Sequence, residues 1–184
     1  MINLGESTGR NKREYPAENV PGAKWYALYV RSRFEKKVHS QLLQQDVETY
    51  LPLIEEVRLW SDRKKKIQEP LFKGYLFVRI NLKEKLNVLK ADGVVKFVGI
   101  NNRPSAIPDD QMNWIKIILQ SADAVKREKY PVQGERVEVV GGPLRGIQGI
   151  VSQVRGSTKL IIIVEAISRS LSVEVPPEFL RSIA

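Results

Sequence analysis

From Lys24 onward, short runs with an apolar period of two alternate with stretches whose period is near four. Trp25-Tyr26-Ala27-Leu28-Tyr29-Val30 is aromatic and β-rich and predicts a first strand. Ser32 followed by Glu35 has capping-box spacing and predicts a helix start. Phe34, Val38 and Leu42 recur every four residues and give that helix one buried stripe. Val57-Arg58-Leu59-Trp60 and Lys66-Ile67-Gln68 flank Ser61-Asp62-Arg63-Lys64-Lys65, the pattern of a hairpin with a basic tip. Residues 71–80 predict a strong strand. Asn81, with Glu84 three residues on, opens a second helix with Leu82, Leu86 and Leu89 as its apolar face and Gly93 near its end. Residues 94–100 return to β, and Pro108-Asp109-Asp110 introduces a third helix with Met112, Ile115, Ile118 and Leu119 inward.

This order predicts an α+β domain over residues 24–121, an antiparallel sheet with helices on one face. Residues 1–23 hold Gly5, Gly9, Pro16, Pro21 and Gly22 and no periodicity, which predicts an unstructured tail. They lack the apolar core of a secretory signal, so a cytoplasmic protein is expected. The charged stretch 122–133 reads as a linker. Residues 134–184 change character: short strand signals at 136–140, 147–154, 160–165 and 171–175 are separated by Gly and Pro. That spacing predicts a small β-barrel with little stability of its own.

Composition narrows the chemistry. The chain has 184 residues and no cysteine, which excludes disulfides, thiolate metal sites and cysteine nucleophiles. Its one histidine, His39, has no second ligand nearby in sequence and reads as solvated. Glu55 and Glu56 are adjacent on a strand and point to opposite faces. Asp109 and Asp110 fit helix-opening roles. Gly141-Gly142-Pro143-Leu144-Arg145-Gly146 lacks the Lys-Ser/Thr ending of a phosphate loop and reads as a turn. No enzyme signature, metal site, cofactor or membrane-spanning stretch is found.

The net charge of +9 is uneven: +7 falls in residues 25–130 and +1 in residues 131–184. A basic excess of this kind suits a polyanionic partner or merely a soluble basic protein. Arg31, Arg33, Lys36 and Lys37 cluster where the first helix begins, either as a phosphate site or as a solvated face. The hairpin tip with Lys64 and Lys65 carries the same two readings. In Phe72-Lys73-Gly74-Tyr75-Leu76-Phe77-Val78, alternation puts Tyr75 and Phe77 on one face and Leu76 and Val78 on the other. With the helices over Leu76 and Val78, the two rings, joined by Tyr29 and Phe97, form either an exposed protein-docking patch or a second core layer.

These residues resemble the NusG family of transcription elongation factors over about residues 24–183. The resemblance rests on Lys24-Trp25-Tyr26, Phe34-Glu35, Leu51-Pro52, the strand at 72–78, Gly93-Val94 to Phe97-Val98-Gly99, and Pro104 to Ile107-Pro108. Val137, Val139, Gly142-Pro143, Gly146, Gly149 and Val151 are similar to a KOW motif. The resemblance implies a monomeric, non-enzymatic factor whose N-terminal domain docks on the clamp helices of RNA polymerase through Tyr29, Phe72, Tyr75, Phe77 and Phe97. It places Arg31, Arg33, Lys36 and Lys37 beside upstream or non-template DNA, and Lys64 and Lys65 at the hairpin tip remain a second nucleic-acid candidate on charge alone. The KOW barrel would recruit a ribosomal protein or a termination factor. Housekeeping members carry Phe-Gly-Arg in the recruiting loop, where this chain has Ala166-Ile167-Ser168-Arg169. With Glu69-Pro70-Leu71-Phe72, that departure resembles the operon-specific RfaH and UpxY antiterminators. Some relatives refold the barrel into helices, but the β-branched run Leu160-Ile161-Ile162-Ile163-Val164 favours strands. The competing class is a KOW-type RNA-binding module, against which the near-neutral charge of residues 134–184 counts.

Overall fold

A computed structural model describes residues 22–59, 64–101, 103–121, 125–128, 134–154 and 157–183. In chain order the elements are β1 (Lys24–Val30), α1 (Glu35–Gln44), β2 (Glu48–Tyr50), β3 (Leu53–Leu59), β4 (Lys64–Pro70) and β5 (Tyr75–Ile80). A short 3-10 turn then runs into α2 (Lys85–Leu89), followed by β6 (Val94–Phe97), β7 (Gly99–Ile100), β8 (Arg103–Pro104), β9 (Ala106–Ile107) and α3 (Asp109–Ser121). The remaining strands are β10 (Val125–Glu128), β11 (Glu135–Val139), β12 (Gln148–Val154), β13 (Ser157–Val164), β14 (Arg169–Glu174) and β15 (Leu180–Ser182).

The period of two in β1 and β5 divides the N-terminal domain into two cores. Strands run in the order β2-β5-β1-β6, with β9 also pairing with β1. Tyr26, Leu28 and Val30 on β1, with Leu76, Val78 and Ile80 on β5, form one core with Val38 and Leu42 of α1 and Val88 of α2. Trp25, Ala27 and Phe77 point the other way, into a core with Met112, Ile115 and Ile118 of α3. The expected faces of Tyr75, Leu76, Phe77 and Val78 and the inward residues of the third helix therefore hold, but the strand expected over 71–80 begins only at Tyr75, because residues 71–74 form a turn through Gly74 at a φ of +81°. The helices are not all on one face as expected, since α3 packs opposite α1 and α2. The second core does not stop at α3. It continues through Val137, Leu160, Ile162 and Leu171 of the C-terminal sheet.

That sheet has the antiparallel order β10-β14-β13-β12-β11-β15 and is strand-rich, consistent with a small KOW barrel. It differs from the sequence reading at its start. β10 lies within the stretch expected to be a linker and pairs with β14 from Val125↔Val173 to Glu128↔Ser170. Its charges suggested solvent, but Glu128 accepts hydrogen bonds from the Ser172 hydroxyl and the Lys159 ammonium, which anchors an edge strand. Residues 1–21 and the hairpin residues 60–63 lie outside the described residues. The predicted hairpin itself is present, with β3 and β4 paired from Leu53↔Pro70 to Leu59↔Lys64.

Two helix details depart from expectation. The residue before α1 is Phe34 and no side chain caps the helix. Glu35 is buried and accepts the Gly74 amide at 2.7 Å instead of closing a capping box with Ser32. Asn81 does cap the second helical segment, accepting from the Lys83 amide. Leu82, in the 3-10 turn, and Leu86, in α2, are exposed there and Val88 takes the buried place. Among the described residues, no helix is long and apolar enough to cross a membrane.

Candidate interaction site

The sheet register lines up a row of side chains across one face. Tyr29 on β1 lies opposite Tyr75 on β5 and opposite Lys96 on β6. Directly opposed residues in antiparallel strands share a face. The two tyrosine rings stand 5.5 Å apart at 54°. Tyr29 is 41% exposed and Tyr75 is half-buried. The turn that delivers Tyr75 depends on Gly74, whose φ of +81° suits glycine. A Cβ there would also come within 3.3 Å of the Tyr29 ring. Glu35 and the Val30 amide hold both sides of this turn, through the Gly74 N–H and carbonyl respectively.

The structure corrects the expectation of an uncovered aromatic strip. Phe77 is fully buried and Phe72 is 2% exposed, edge-to-face with each other at 6.1 Å within the core shared by α3 and the barrel. Phe97 does not belong to this face at all. It sits opposite Leu28, 8% exposed, and packs edge-on against Tyr26 in the α1/α2 core. A register shift between Tyr29 and Val30 accompanies its pairing with β1, and a period-two reading cannot see such a shift.

The barrel is fastened to this domain by named polar contacts. Arg127 on β10 donates to the Leu71 and Pro70 carbonyls at 2.9 and 2.8 Å and pairs with the Glu56 carboxylate. Gln111 on α3 donates to the Ile163 carbonyl on β13 at 2.8 Å. The guanidinium of Arg169 lies 5.7 Å from the centre of the Tyr75 ring. The expected recruiting loop is thus turned toward the aromatic row. Ile167 is buried, Ser168 adopts a left-handed φ of +49°, and both Ser168 and Arg169 are exposed.

The basic cluster is partly spent on intramolecular contacts. Asp92 pairs with Lys37 at 2.7 Å and with Arg31 at 3.5 Å, and both cations also lie over the Phe34 ring. The Lys37 hydrogen bond holds the Asp92 carboxyl below the usual carboxylate range. Lys36 donates to the Gln68 carbonyl and so ties α1 to the hairpin. Arg33 is exposed at a left-handed φ of +67°. Lys64 and Lys65 are exposed on β4 beside the hairpin tip. His39, expected to be solvated, is half-buried, and desolvation lowers its pKa against a smaller opposing effect of the Thr49 backbone. Sequence reasoning missed Arg127, Lys73, Lys96 and the role of Glu35. No signal in the sequence reading pointed toward them, because residues 71–80 read as one strand.

Comparisons with known proteins agree on one family. The family described as "NusG: Transcription termination factor nusG" matches residues 23–116, just over half of the chain. The chain is 29% identical to the transcription termination/antitermination protein NusG of Borreliella burgdorferi, over 82% of this chain and 94% of that protein. It is 28% identical to the protein of the same name from Thermus thermophilus, over 75% of this chain and 88% of that protein. A solved structure described as "Domain interaction in Thermotoga maritima NusG" is similar with a TM-score of 0.53 at 22% identity, covering 88% and 98% of the two chains, a likeness of fold.

Proposed function

Since the chain belongs to the NusG family, whose members are transcription factors and not enzymes, we propose that it acts in elongation and antitermination by docking on the clamp helices of RNA polymerase. The observation that carries this reading is the aromatic face of β1 and β5, built on the side of the sheet away from α1 and α2. Tyr29 and Tyr75 are its accessible edge, and Phe72 and Phe77 are its covered continuation. Polymerase binding therefore involves separation of the barrel from the N-terminal domain. The same separation turns Ser168 and Arg169 away from Tyr75 and offers them to a ribosomal protein or termination factor.

The bound domain would bridge the cleft beside nucleic acid. Arg31, Arg33, Lys36 and Lys37 on one side and Lys64 and Lys65 on the hairpin supply charge toward upstream or non-template DNA. A factor that binds the closed clamp better than the open one shifts that equilibrium by its differential affinity. About 1.4 kcal/mol of difference changes the paused fraction roughly tenfold. The departure at Ala166-Ile167-Ser168-Arg169 supports an operon-specific role over a housekeeping one.

The test is a pull-down with purified bacterial polymerase, followed by transcription across a pause site and a terminator. The Tyr29→Ala/Tyr75→Ala double variant should retain its circular dichroism spectrum and lose polymerase binding and readthrough together. Unchanged binding by this variant removes the aromatic face from the interface.

A further inference from the structure

Between the two domains lies a cleft of about 490 Å³ that shares Tyr29 and Tyr75 with the proposed polymerase face and adds Lys73 and Lys96, which that reading does not use. Tyr29, Tyr75, Lys73, Lys96 and Arg169 line it, with the backbone turn at Gly74 in its floor. The volume falls within the range of sites for small organic ligands, roughly 300–1,000 Å³. Its chemistry is specific. Three cations converge, two from the N-terminal domain and one from the barrel, and no aspartate or glutamate lines the cleft. Among the described residues, the side chains of Lys73 and Lys96 make neither a hydrogen bond nor an ion pair. Glu35 lies behind Gly74, buried and bonded to its amide, so its carboxyl group offsets part of this charge from beneath. Like charges gathered in a concave site and only partly offset are matched by an anionic ligand.

The aromatic row narrows the anion. Tyr29 stands between Tyr75 and Lys96 across the sheet, so an exposed ring adjoins the cations on the same face. Arg169 covers Tyr75, which leaves Tyr29 as the stacking surface. A ring for stacking beside lysine and arginine donors is the pairing that recognises a base joined to phosphates. An open cleft that needs residues of both domains, with its three cations beside one exposed ring, suits a single nucleotide better than a continuous strand. We propose that this cleft binds a nucleoside polyphosphate, with the base against Tyr29 and the phosphates among Lys73, Lys96 and Arg169. Because Arg169 comes from the barrel, the ligand binds the closed arrangement better than the separated one and stabilises it by mass action.

The experiment is isothermal titration calorimetry on the full chain in low-salt buffer with ATP, tripolyphosphate and a short oligothymidylate. One molecule of ATP should bind per chain. Lys73→Gln/Lys96→Gln, and separately Arg169→Ala, should each weaken ATP at least about tenfold. Tyr29→Leu should weaken ATP and leave tripolyphosphate unchanged, and Tyr29→Phe should behave as the parent. The lysines, Arg169 and Tyr29 are exposed, and thermal melts verify that each variant is folded. No heat with ATP, or ATP affinity unchanged in the variants, overturns the proposal. So does oligothymidylate binding with ATP ignored, or tripolyphosphate bound as tightly as ATP. A chain that binds ATP here and fails to bind polymerase would sink the preceding reading and leave this one standing.

Discussion

At the scale of single residues, the site rests on a buried carboxylate used as a backbone acceptor. Removing the side chain of Glu35 leaves the buried Gly74 amide without its partner, and an unsatisfied buried donor costs about 1–3 kcal/mol. Glu35→Ala should lower the urea midpoint accordingly, whereas Glu35→Gln, which keeps an acceptor oxygen, should recover most of the loss. Asp92 makes the opposite kind of prediction. It holds Lys37 and Arg31 to the protein, so Asp92→Asn should release two cations. DNA affinity by fluorescence anisotropy should rise, and each additional phosphate engaged should steepen the salt slope by roughly 0.7–0.9. An unchanged slope would place this cluster away from DNA. His39 sets a pH dependence. Its folded pKa lies below the ordinary 6.5, so the unfolded chain binds the proton first as pH falls. The stability it contributes is complete above about 6.5 and is lost as pH falls through the lower folded value, and His39→Gln should flatten thermal melts over that window.

At the scale of elements, alternation and helical period sufficed where one face meets one core. The inward set of α3 was legible because Met112, Ile115 and Ile118 share one stripe. Leu82 misled because it falls in a 3-10 turn with a different angular step, and Leu86 because α2 is too short for its apolar period to single out the face on which Val88 is buried. Phe97 misled because it pairs with Leu28, which faces the α1/α2 core, and the pairing of β6 with β1 cannot be read from residue types. β10 was invisible because its pairing partner, β14, lies more than forty residues away and its own residues are charged. That strand carries the device sequence reasoning missed. Arg127 joins β10 to the base of the hairpin through two carbonyls and a carboxylate. Arg127→Met keeps the aliphatic stem and removes the fork. Amide exchange in β10 should accelerate while that in β1 and β5 stays slow, and equal protection in variant and parent would show that the fork holds nothing.

At the scale of the molecule, Arg169 of the barrel lies over Tyr75, so a partner that takes the accessible edge of the aromatic face competes with the barrel for it. Phe72 and Phe77 are essentially inaccessible, and burying a phenylalanine side chain contributes about 1.5–3 kcal/mol. Exposing both therefore costs several kcal/mol unless a partner covers them again. A partner that binds only the separated arrangement must supply that difference from its own affinity. This coupling is testable because the chain has no cysteine of its own. Gln111 and Ile163 face each other across the domain boundary through a 2.8 Å hydrogen bond. Cysteines at both positions, joined by a short cleavable thiol cross-linker, would hold α3 against β13. The cross-linked chain should lose polymerase binding in the pull-down and regain it when the linker is cut, while ATP binding in the cleft persists throughout. Cross-linked protein that binds polymerase as well as the cut form would mean that docking uses only Tyr29 and Tyr75, with the domains still together.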